Sequence, residues 1–279
     1  MSKVIFLDVD GTLINYQAKT PKCAKKAIDM ARENGHKVFI CTGCSKYETS
    51  KRDLPTIDGM IGANGAYIEV DNKVIVHNCL SIDTVKFFIK WCNEKEIGFY
   101  LEANSGMYCN QNMLKQGVDT FIKYAHGKGK DDSSSRKIAE GFIKDITYLK
   151  DEELYKDDVN KISYILTSYD DYLECQKKFP LFTHNTWGGV GQDALFGDIS
   201  LSNINKQQAI ETVLGYLNVD KNDSVAFGDA NVDLAMFNAC YFNVAMGNAS
   251  DALKQKANYV TDDVDSDGLY KAFEYLELI

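Results

Sequence analysis

The sequence predicts an α/β fold in which a doubly wound, Rossmann-like parallel-sheet core is interrupted by an inserted α/β cap domain. At both ends of the chain, short unbroken apolar runs, typical of strands buried on both faces, alternate with amphipathic helical patterns. Between them, the pattern changes at about residue 81, and the βα rhythm resumes after the glycine-rich stretch 188–191. We therefore expect the core to comprise residues 1–80 and 191–279, and the cap to comprise residues 81–190.

The first part of the core has the pattern of a βαβ unit followed by a hairpin. The helix is amphipathic and ends at a glycine, and the hairpin has a two-residue turn. In chain order we expect a strand over Val4–Leu7, a helix after Pro21 closed by Asn34-Gly35, strands over Lys37–Ile40 and Met60–Ile61, and a hairpin over Ala66–Val70 and Lys73–His77.

The cap and the second part of the core also alternate between the hydrophobic patterns of strands and those of amphipathic helices. In the cap we expect helices over Ile82–Cys92, 112–124 and Tyr169–Phe179, strands over Phe99–Glu102, Ile162–Leu166 and Phe182–Trp187, and a mobile polar stretch over His126–Arg136. In the returning core we expect helices over Ile204–Leu217, Val232–Phe237 and Leu269–Leu278, and strands over Ser224–Phe227, Phe242–Ala245 and Tyr259–Val260.

Composition and charge exclude several classes of protein. The chain has 279 residues, of which 45% are hydrophobic and 25% charged, so disorder is excluded. The formal net charge of -9 argues against nucleic-acid and membrane partners. No run reaches the ~18 consecutive apolar residues of a membrane span, and no signal-peptide core is present, so we expect a cytoplasmic protein. Nothing in the sequence indicates its oligomeric state.

Polar clusters at 8–12, 41–45 and 228–233 directly follow predicted strands. In doubly wound sheets, ligands bind beyond the carboxyl ends of the strands, so we expect the three clusters to meet in space. This edge of the sheet is therefore the predicted site.

The predicted site is rich in carboxylates. Asp8 and Asp10 lie two residues apart at a strand end and are expected to point the same way, with Gly11 allowing a sharp turn. Asp229 and Asp233 lie four residues apart and share one face at the start of a helix. Because four carboxylates in one crevice repel one another, the sequence predicts a bound cation. Oxygen-only ligands favour Mg²⁺.

The sequence also contains groups that bind anions. Lys206 lies near the start of a predicted helix and is a natural partner for phosphate and for carboxylate. Thr42 and Gly43, expected to open the helix after the second strand, supply a hydroxyl and free N–H groups. A metal beside an anion site predicts phosphoryl transfer. Asp8 suits attack on phosphorus to form an aspartyl phosphate, and Asp10 suits protonation of the leaving oxygen and then activation of water.

These residues form four ordered motifs: Asp8-Val9-Asp10-Gly11-Thr12-Leu13, Thr42-Gly43, Lys206 and Gly228-Asp229-Ala230-Asn231-Val232-Asp233. The set resembles the haloacid dehalogenase-like phosphohydrolases. Further stretches resemble the Cof-type branch, whose large cap is inserted between the second and third motifs: Asn64-Gly65-Ala66, Ala245-Met246-Gly247-Asn248-Ala249 and Asp267-Gly268. The resemblance covers nearly the whole chain.

The resemblance implies a Mg²⁺-dependent phosphatase that acts on a small phosphorylated metabolite, such as a sugar phosphate or a phosphorylated cofactor, through a phospho-aspartate. It implies that Asp8 is nucleophile and metal ligand, and that Asp10 is the acid/base and lends its carbonyl to the metal. Phosphate binding then falls to Thr42, together with Gly43 and Lys206.

The resemblance also implies that Asp229 binds Mg²⁺ and that Asp233 is a supporting ligand. Two positions depart from the family's pattern, because Cys44 stands where an arginine is usual after Thr-Gly, and Val232 stands where an asparagine is usual before the last aspartate. Asn231, one residue earlier, is a weaker candidate for the missing contact, since one residue turns a helical side chain by about 100°.

Other interpretations stay open at this stage. Asn248 of the Cof-type stretch is a further candidate site residue. A phosphomutase would share the aspartyl phosphate, and a catalytically weak metabolite-binding protein would keep the fold. The stretch 263–274 matches a calcium-loop pattern but follows a predicted strand, so an acidic loop capping the last helix is the favoured interpretation. Cys41 and Cys44 form a C-x-x-C that would permit redox chemistry.

Overall fold

The computed structural model of the chain describes residues 2–279. These residues divide into two compact units. The first unit contains the residues up to Cys44 together with Thr49–His77 and Ile204–Ile279, and the second contains Ser45–Glu48 and Asn78–Asn203. Among the described residues, no helix has both the length and the apolar character needed to cross a membrane.

Each unit is built from strands and helices whose bounds are as follows. The strands are β1 (Val4–Leu7), β2 (Lys37–Cys41), β3 (Gly59–Gly62), β4 (Tyr67–Val70), β5 (Lys73–His77), β6 (Phe99–Ala103), β7 (Met107–Cys109), β8 (Thr147–Tyr148), β9 (Val159–Ile165), β10 (Phe182–Trp187), β11 (Phe196–Leu201), β12 (Ser224–Gly228), β13 (Phe242–Ala245) and β14 (Tyr259–Val260). The helices are α1 (Lys22–Glu33), α2 (Lys46–Ser50), α3 (Ile82–Glu94), α4 (Gln111–Gly127), α5 (Asp132–Lys144), α6 (Tyr169–Lys178), α7 (Lys206–Leu217), α8 (Leu234–Ala239), α9 (Asp251–Lys254) and α10 (Gly268–Tyr275).

The first unit is a sheet covered by helices on both faces, as the sequence predicts. Its strand order is β14-β13-β12-β1-β2-β3-β4-β5, and its strands are parallel from β14 to β3, with β4 and β5 forming the antiparallel hairpin. Successive side chains of the central strand β1 point to opposite faces. Ile5 and Leu7 pack with α1 and α10, whereas Val4 and Phe6 pack with α7 and α8. The unbroken apolar run is thus explained by burial on both sides.

The second unit contains a mostly antiparallel sheet in the order β10-β11-β9-β6-β7-β8. One face packs against α3 and α6 around Phe88 and Tyr164, and the other packs against α4 and α5 around Phe121. The second face also carries polar pairs, in which Lys161 Nζ lies 2.9 Å from Glu102 Oε2 and Asn185 Nδ2 donates to Asp198 Oδ1 at 3.0 Å.

The strand β11 was not expected from the sequence, and it lies beyond the predicted end of the cap at residue 190. It is the second strand from the edge of the second unit's sheet, between β10 and β9. Gly197 and Asp198 are residue types that are depleted in strands, and this concealed the alternation of its side chains. The inserted unit therefore continues to Asn203.

The predicted mobile stretch over 126–136 is wrong. Helix α4 continues to Gly127, and α5 begins at Asp132. The Asp131 side chain caps α5 by accepting a hydrogen bond from the Ser134 N–H at 2.9 Å. The run of aspartate and serine residues is a helix start, because these side chains satisfy the free N–H groups of the first turn.

Candidate active site

Three carboxylates meet where two neighbouring parallel strands end. Asp8 follows β1, Asp229 follows β12, and the Asp8 N–H donates to Phe227 O at 3.0 Å, which keeps the two strand ends in register. One carboxylate oxygen from each of Asp8, Asp229 and Asp233 lies within 4.8 Å of the others. The structure therefore brings together three of the four aspartates singled out in the sequence.

Lys206 is the cation at the centre of this group. It is the first residue of α7, and Asn205 caps that helix by accepting a hydrogen bond from the Gln208 N–H at 2.9 Å. The Lys206 ammonium donates to Asp8 Oδ1 at 2.6 Å and to Asp233 Oδ1 at 2.8 Å, and its side chain is only 4% exposed. Burial lowers the pKa of Lys206, but the charges of Asp8 and Asp233 more than offset this effect and raise it. Lys206 is therefore a permanent ammonium.

Asp233 organises the loop after β12. Its side chain is fully buried, and Oδ2 accepts hydrogen bonds from the N–H groups of Asp229 at 3.1 Å and Ala230 at 3.0 Å. A Cβ at Gly228 would lie only 2.6 Å from the Asp233 Cβ, so only glycine leaves room for this arrangement. With Oδ1 bound to Lys206, both oxygens of Asp233 are engaged.

The site holds more negative charge than Lys206 balances. Burial raises the pKa of Asp8 to about 7; Lys206 lowers it, while Asp233 and Asp229 raise it further. Burial and the charge of Asp233 likewise raise the pKa of Asp229 to about 6, although Thr12 opposes this by donating to Asp229 Oδ1 at 3.1 Å. Such carboxylates are more easily ionised when a further cation is present.

The Asp10 side chain does not join the group, contrary to the expectation that it would point the same way as Asp8. Its side chain is 57% exposed, and Oδ1 accepts a hydrogen bond from Arg52 Nη1 at 2.8 Å. The reason is that β1 ends at Leu7 and the chain then turns, with the Ile14 N–H donating to Val9 O at 2.8 Å. The same-side rule for residues two apart applies only within an extended strand.

Thr42 and Gly43 lie in the loop after β2, and the expectation that they open a helix is wrong. The short helix α2 begins only at Lys46. Thr42 is buried, and its Oγ1 accepts a hydrogen bond from the Cys44 N–H at 3.1 Å, so the hydroxyl hydrogen can be donated elsewhere. A Cβ at Gly43 would lie 3.4 Å from Asn64 Oδ1. The loop is compact without being a helix terminus.

The two asparagines singled out in the sequence have structural partners. Asn231 Oδ1 accepts a hydrogen bond from Ser250 Oγ at 2.6 Å. Asn248 connects two loops, donating to Gly11 O at 2.8 Å and accepting from the Val264 N–H at 3.0 Å. Val232 is 67% exposed. None of these side chains contacts the three carboxylates through a hydrogen bond described in residues 2–279.

The 263–274 stretch has no carboxylate group resembling the one at the site. Within residues 2–279, the Asp8, Asp229 and Asp233 group is the one set of potential ligands gathered closely enough to hold a metal. Helix α10 runs over Gly268–Tyr275, and Asp267 makes no side-chain cap to it. The favoured interpretation of an acidic loop capping the last helix by its side chains is thus not confirmed at this residue.

The cysteines of the C-x-x-C are both reduced and form no disulfide. Cys41 is fully buried, and burial raises the pKa of its thiol far above the ordinary value. A buried thiol of this kind is a poor source of thiolate, so a redox role for it has no support.

Sequence analysis missed two residues that shape the site. Thr12 was named only as a member of the first motif and was given no role in the site, yet its hydroxyl donates to Asp229. Arg52 was not considered, although it donates to Asp10. The sequence contains one signal for Arg52. Cys44 stands where an arginine is usual, and of the arginines, which are at 32, 52 and 136, Arg52 lies nearest to it in the sequence.

Comparisons with known proteins show what this chain is similar to. A family model described as haloacid dehalogenase-like hydrolase matches residues 5–273. YkrA of Bacillus subtilis is 27% identical to this chain, covering 100% of it and 99% of YkrA. The B. subtilis 5-amino-6-(5-phospho-D-ribitylamino)uracil phosphatase YitU is 24% identical, covering 99% of this chain and 98% of YitU. The solved structure of the sugar phosphatase BT4131 has 25% sequence identity and a TM-score of 0.72, with 100% of both chains covered.

Proposed function

Because the chain belongs to the haloacid dehalogenase-like hydrolase family and is a phosphatase within it, we propose that it hydrolyses small phosphomonoesters with Asp8 as nucleophile. The observation that carries the proposal is the buried Lys206 ammonium, which is held between Asp8 and Asp233 with Asp229 alongside. Three carboxylates around one ammonium form a site suited to a divalent cation and a phosphoryl group together.

The donor set fits Mg²⁺. In the part of the chain that the structure describes, Oδ2 of Asp8 and Oδ2 of Asp229 accept no hydrogen bond, whereas both oxygens of Asp233 are occupied. We assign Asp8 and Asp229 as ligands, with the backbone carbonyl of Asp10, and Asp233 as the support that fixes the loop. When bound, Mg²⁺ would offset the negative charge of the transferring phosphoryl group.

The chemical steps use the two aspartates of the first motif. An Asp8 oxygen attacks phosphorus, and the bond from phosphorus to the leaving oxygen breaks while Asp10 donates a proton to that oxygen. Asp10 then takes a proton from water, the water oxygen attacks phosphorus, and phosphate leaves with Asp8 regenerated. The exposed side chain of Asp10 is accessible to a substrate, unlike that of buried Asp233.

Lys206, Thr42 and Gly43 are assigned to phosphate binding. Two of the three hydrogens of the Lys206 ammonium are used by Asp8 and Asp233, which leaves one to donate to a phosphate oxygen. The Thr42 hydroxyl and the Gly43 N–H add neutral donors from the loop after β2. Repulsion between phosphate and the aspartates is thereby reduced.

The proposed substrate class is supported by the named relatives. Relatives include a phosphatase of a phosphoribitylamino compound and a sugar phosphatase. We propose a small hydroxylated phosphomonoester, such as a sugar phosphate, as the substrate.

The experiment that tests the function is phosphate release from a panel of sugar phosphates, nucleotides, pyridoxal phosphate and flavin mononucleotide, each with Mg²⁺ and with a chelator. We expect Mg²⁺-dependent release from at least one member. Return of labelled phosphate to the substrate would instead identify a phosphomutase. Tight binding without release would identify a metabolite-binding protein, and either result would overturn the proposal.

Mg²⁺ affinity is expected to rise with pH. The pKa values of Asp8, about 7, and Asp229, about 6, mean that both carry protons at pH 5.5 in the metal-free protein, and bound metal must displace them. Two such protons weaken binding on the order of 100-fold between pH 8 and pH 5.5. Calorimetric titration with Mg²⁺ at both pH values measures this change. The Mg²⁺ affinity of Asp8→Asn should depend less steeply on pH. A wild-type Mg²⁺ affinity that does not change with pH would contradict the assignment of Asp8 and Asp229 as ligands.

A further inference from the structure

Arg52 contacts the acid/base residue of the site from the segment that follows α2. Its Nη1 donates to Asp10 Oδ1 at 2.8 Å, and its Nη2 lies 3.6 Å from the Cys44 sulfur. The Arg52 side chain is 29% exposed, so the guanidinium is partly shielded from water. One planar group therefore connects the loop after β1 to the loop after β2.

The contact with Asp10 limits a side chain that would otherwise be free to rotate. Asp10 is exposed and lies outside the carboxylate group, and among the described residues no other side chain donates to it. An exposed carboxylate samples several staggered rotamers, and fixing it in one conformation costs free energy unless a partner holds it. Arg52 is that partner.

Arg52 places a guanidinium beside the loop after β2, in which residue 44 is a cysteine. The chain has a cysteine directly after Gly43, where its resemblance to the Cof-type branch would place an arginine. The Cys44 sulfur accepts a hydrogen bond from Arg52 Nη2, so a guanidinium is still present beside this loop. The loop after β2 thus has a positively charged side chain beside it although residue 44 is a cysteine.

We propose that Arg52 is a positioning residue for the phosphatase reaction, holding Asp10 so that its carboxyl group meets the leaving oxygen of the substrate. This inference rests on the function proposed above. A guanidinium suits the role because its rigid fork reaches Asp10 and Cys44 at once, which a lysine ammonium on a flexible stem does not. Misplacement of a catalytic group by about 1 Å costs on the order of 10²-fold in rate.

Loss of Arg52 should slow two kinds of phosphate ester to different extents. A poor leaving group, such as the alkoxide of a sugar phosphate or glycerol phosphate, needs protonation as its bond to phosphorus breaks, whereas p-nitrophenolate leaves without it. Loss of Asp10 positioning therefore slows the first class selectively. Loss of a phosphate ligand would slow both classes equally, because they share the phosphoryl group.

The experiment compares Arg52→Met, Arg52→Lys and a matched control, Arg32→Met. Arg32 also pairs with a single carboxylate, that of Asp58, with two bonds of 3.0 Å, and its side chain is 28% exposed, close to the value for Arg52. We expect Arg52→Met to lower kcat for an alkyl phosphate about 30-fold and for p-nitrophenyl phosphate less than about 3-fold. Arg52→Lys should recover only part of this loss, and Arg32→Met should leave the ratio between the two substrates unchanged.

Asp10→Asn completes the test. In that background, adding Arg52→Met should change the rate less than about 2-fold, because the two residues act as one unit. Equal losses on both esters with a raised KM would overturn positioning and make Arg52 a phosphate ligand. Unchanged kinetics of Arg52→Met in an active enzyme would also overturn it. If the wild-type protein releases phosphate neither from these esters nor from any member of the substrate panel, the proposed function fails, and that outcome differs from both.

Discussion

Replacing Asp8 by asparagine is expected to abolish phosphatase activity without unfolding the protein. Asparagine is nearly isosteric with aspartate, and its carbonyl can still accept the hydrogen bond from Lys206 that Asp8 Oδ1 accepts at 2.6 Å. It is not a nucleophile for phosphorus. We expect the turnover number to fall on the order of 10⁴-fold or more, as measured by phosphate release at saturating Mg²⁺.

The same substitution should stabilise the metal-free protein at pH 8. The pKa of Asp8 is raised from 3.8 to about 7 in the folded state, so the folded protein loses stability as pH rises through this range and the carboxyl ionises. Asparagine avoids that cost. We expect Asp8→Asn to have a free energy of unfolding roughly 1–2 kcal/mol above that of the wild type at pH 8 in chelator, and the difference to disappear near pH 4.

The matched control is Asp29→Asn on the exposed side of α1. It removes one negative charge far from the carboxylate group and should change neither activity nor the pH dependence of stability, since isolated surface substitutions have effects within about 0.5 kcal/mol. An active Asp8→Asn protein would refute the nucleophile assignment. An Asp8→Asn protein that is less stable than the wild type at pH 8 would show that the Asp8 charge stabilises the fold.

Much of the core could be predicted because its sequence signals are local. Val4–Leu7 is apolar throughout since β1 is buried on both faces, and the hairpin of β4 and β5 follows from its short turn. The convergence of Asp8 and Asp229 followed from one general rule, that parallel strands present their carboxyl ends at the same edge.

The parts that could not be predicted depend on contacts distant in sequence. Asp10 left the carboxylate group because the chain turns after Leu7 and because Arg52 is available to bind it, and neither fact is visible in an Asp-x-Asp pattern. The strand β11 forms although its sequence contains glycine and aspartate, because its neighbours β9 and β10 on either side supply the hydrogen bonds. Tertiary pairing decided both cases.

Replacing Lys206 by methionine is expected to have the second large effect. Methionine keeps much of the length of the side chain and removes the charge, so Asp8 and Asp233 would lose their shared cation in a buried site. Breaking a buried ion pair costs about 3–5 kcal/mol. Urea denaturation in chelator at pH 8 should show a loss of about 3 kcal/mol, and the loss should shrink at pH 5 because Asp8, with its pKa of about 7, is then protonated. Lys256→Met, at an exposed position, is the control and should change stability by less than about 0.5 kcal/mol.

Activity and Mg²⁺ affinity should move in opposite directions in Lys206→Met. The ammonium and Mg²⁺ compete for the negative charge of Asp8, so its removal strengthens Mg²⁺ binding at pH 8, whereas Asp8→Asn weakens it because a ligand is lost. Phosphate release should nevertheless fall on the order of 10³-fold in Lys206→Met, since a phosphate contact and the orientation of Asp8 are both removed. Calorimetric Mg²⁺ titration of the two variants separates these roles. Weaker Mg²⁺ binding in both would mean that Lys206 builds the metal site, and would contradict its assignment as a counter-ion and phosphate ligand.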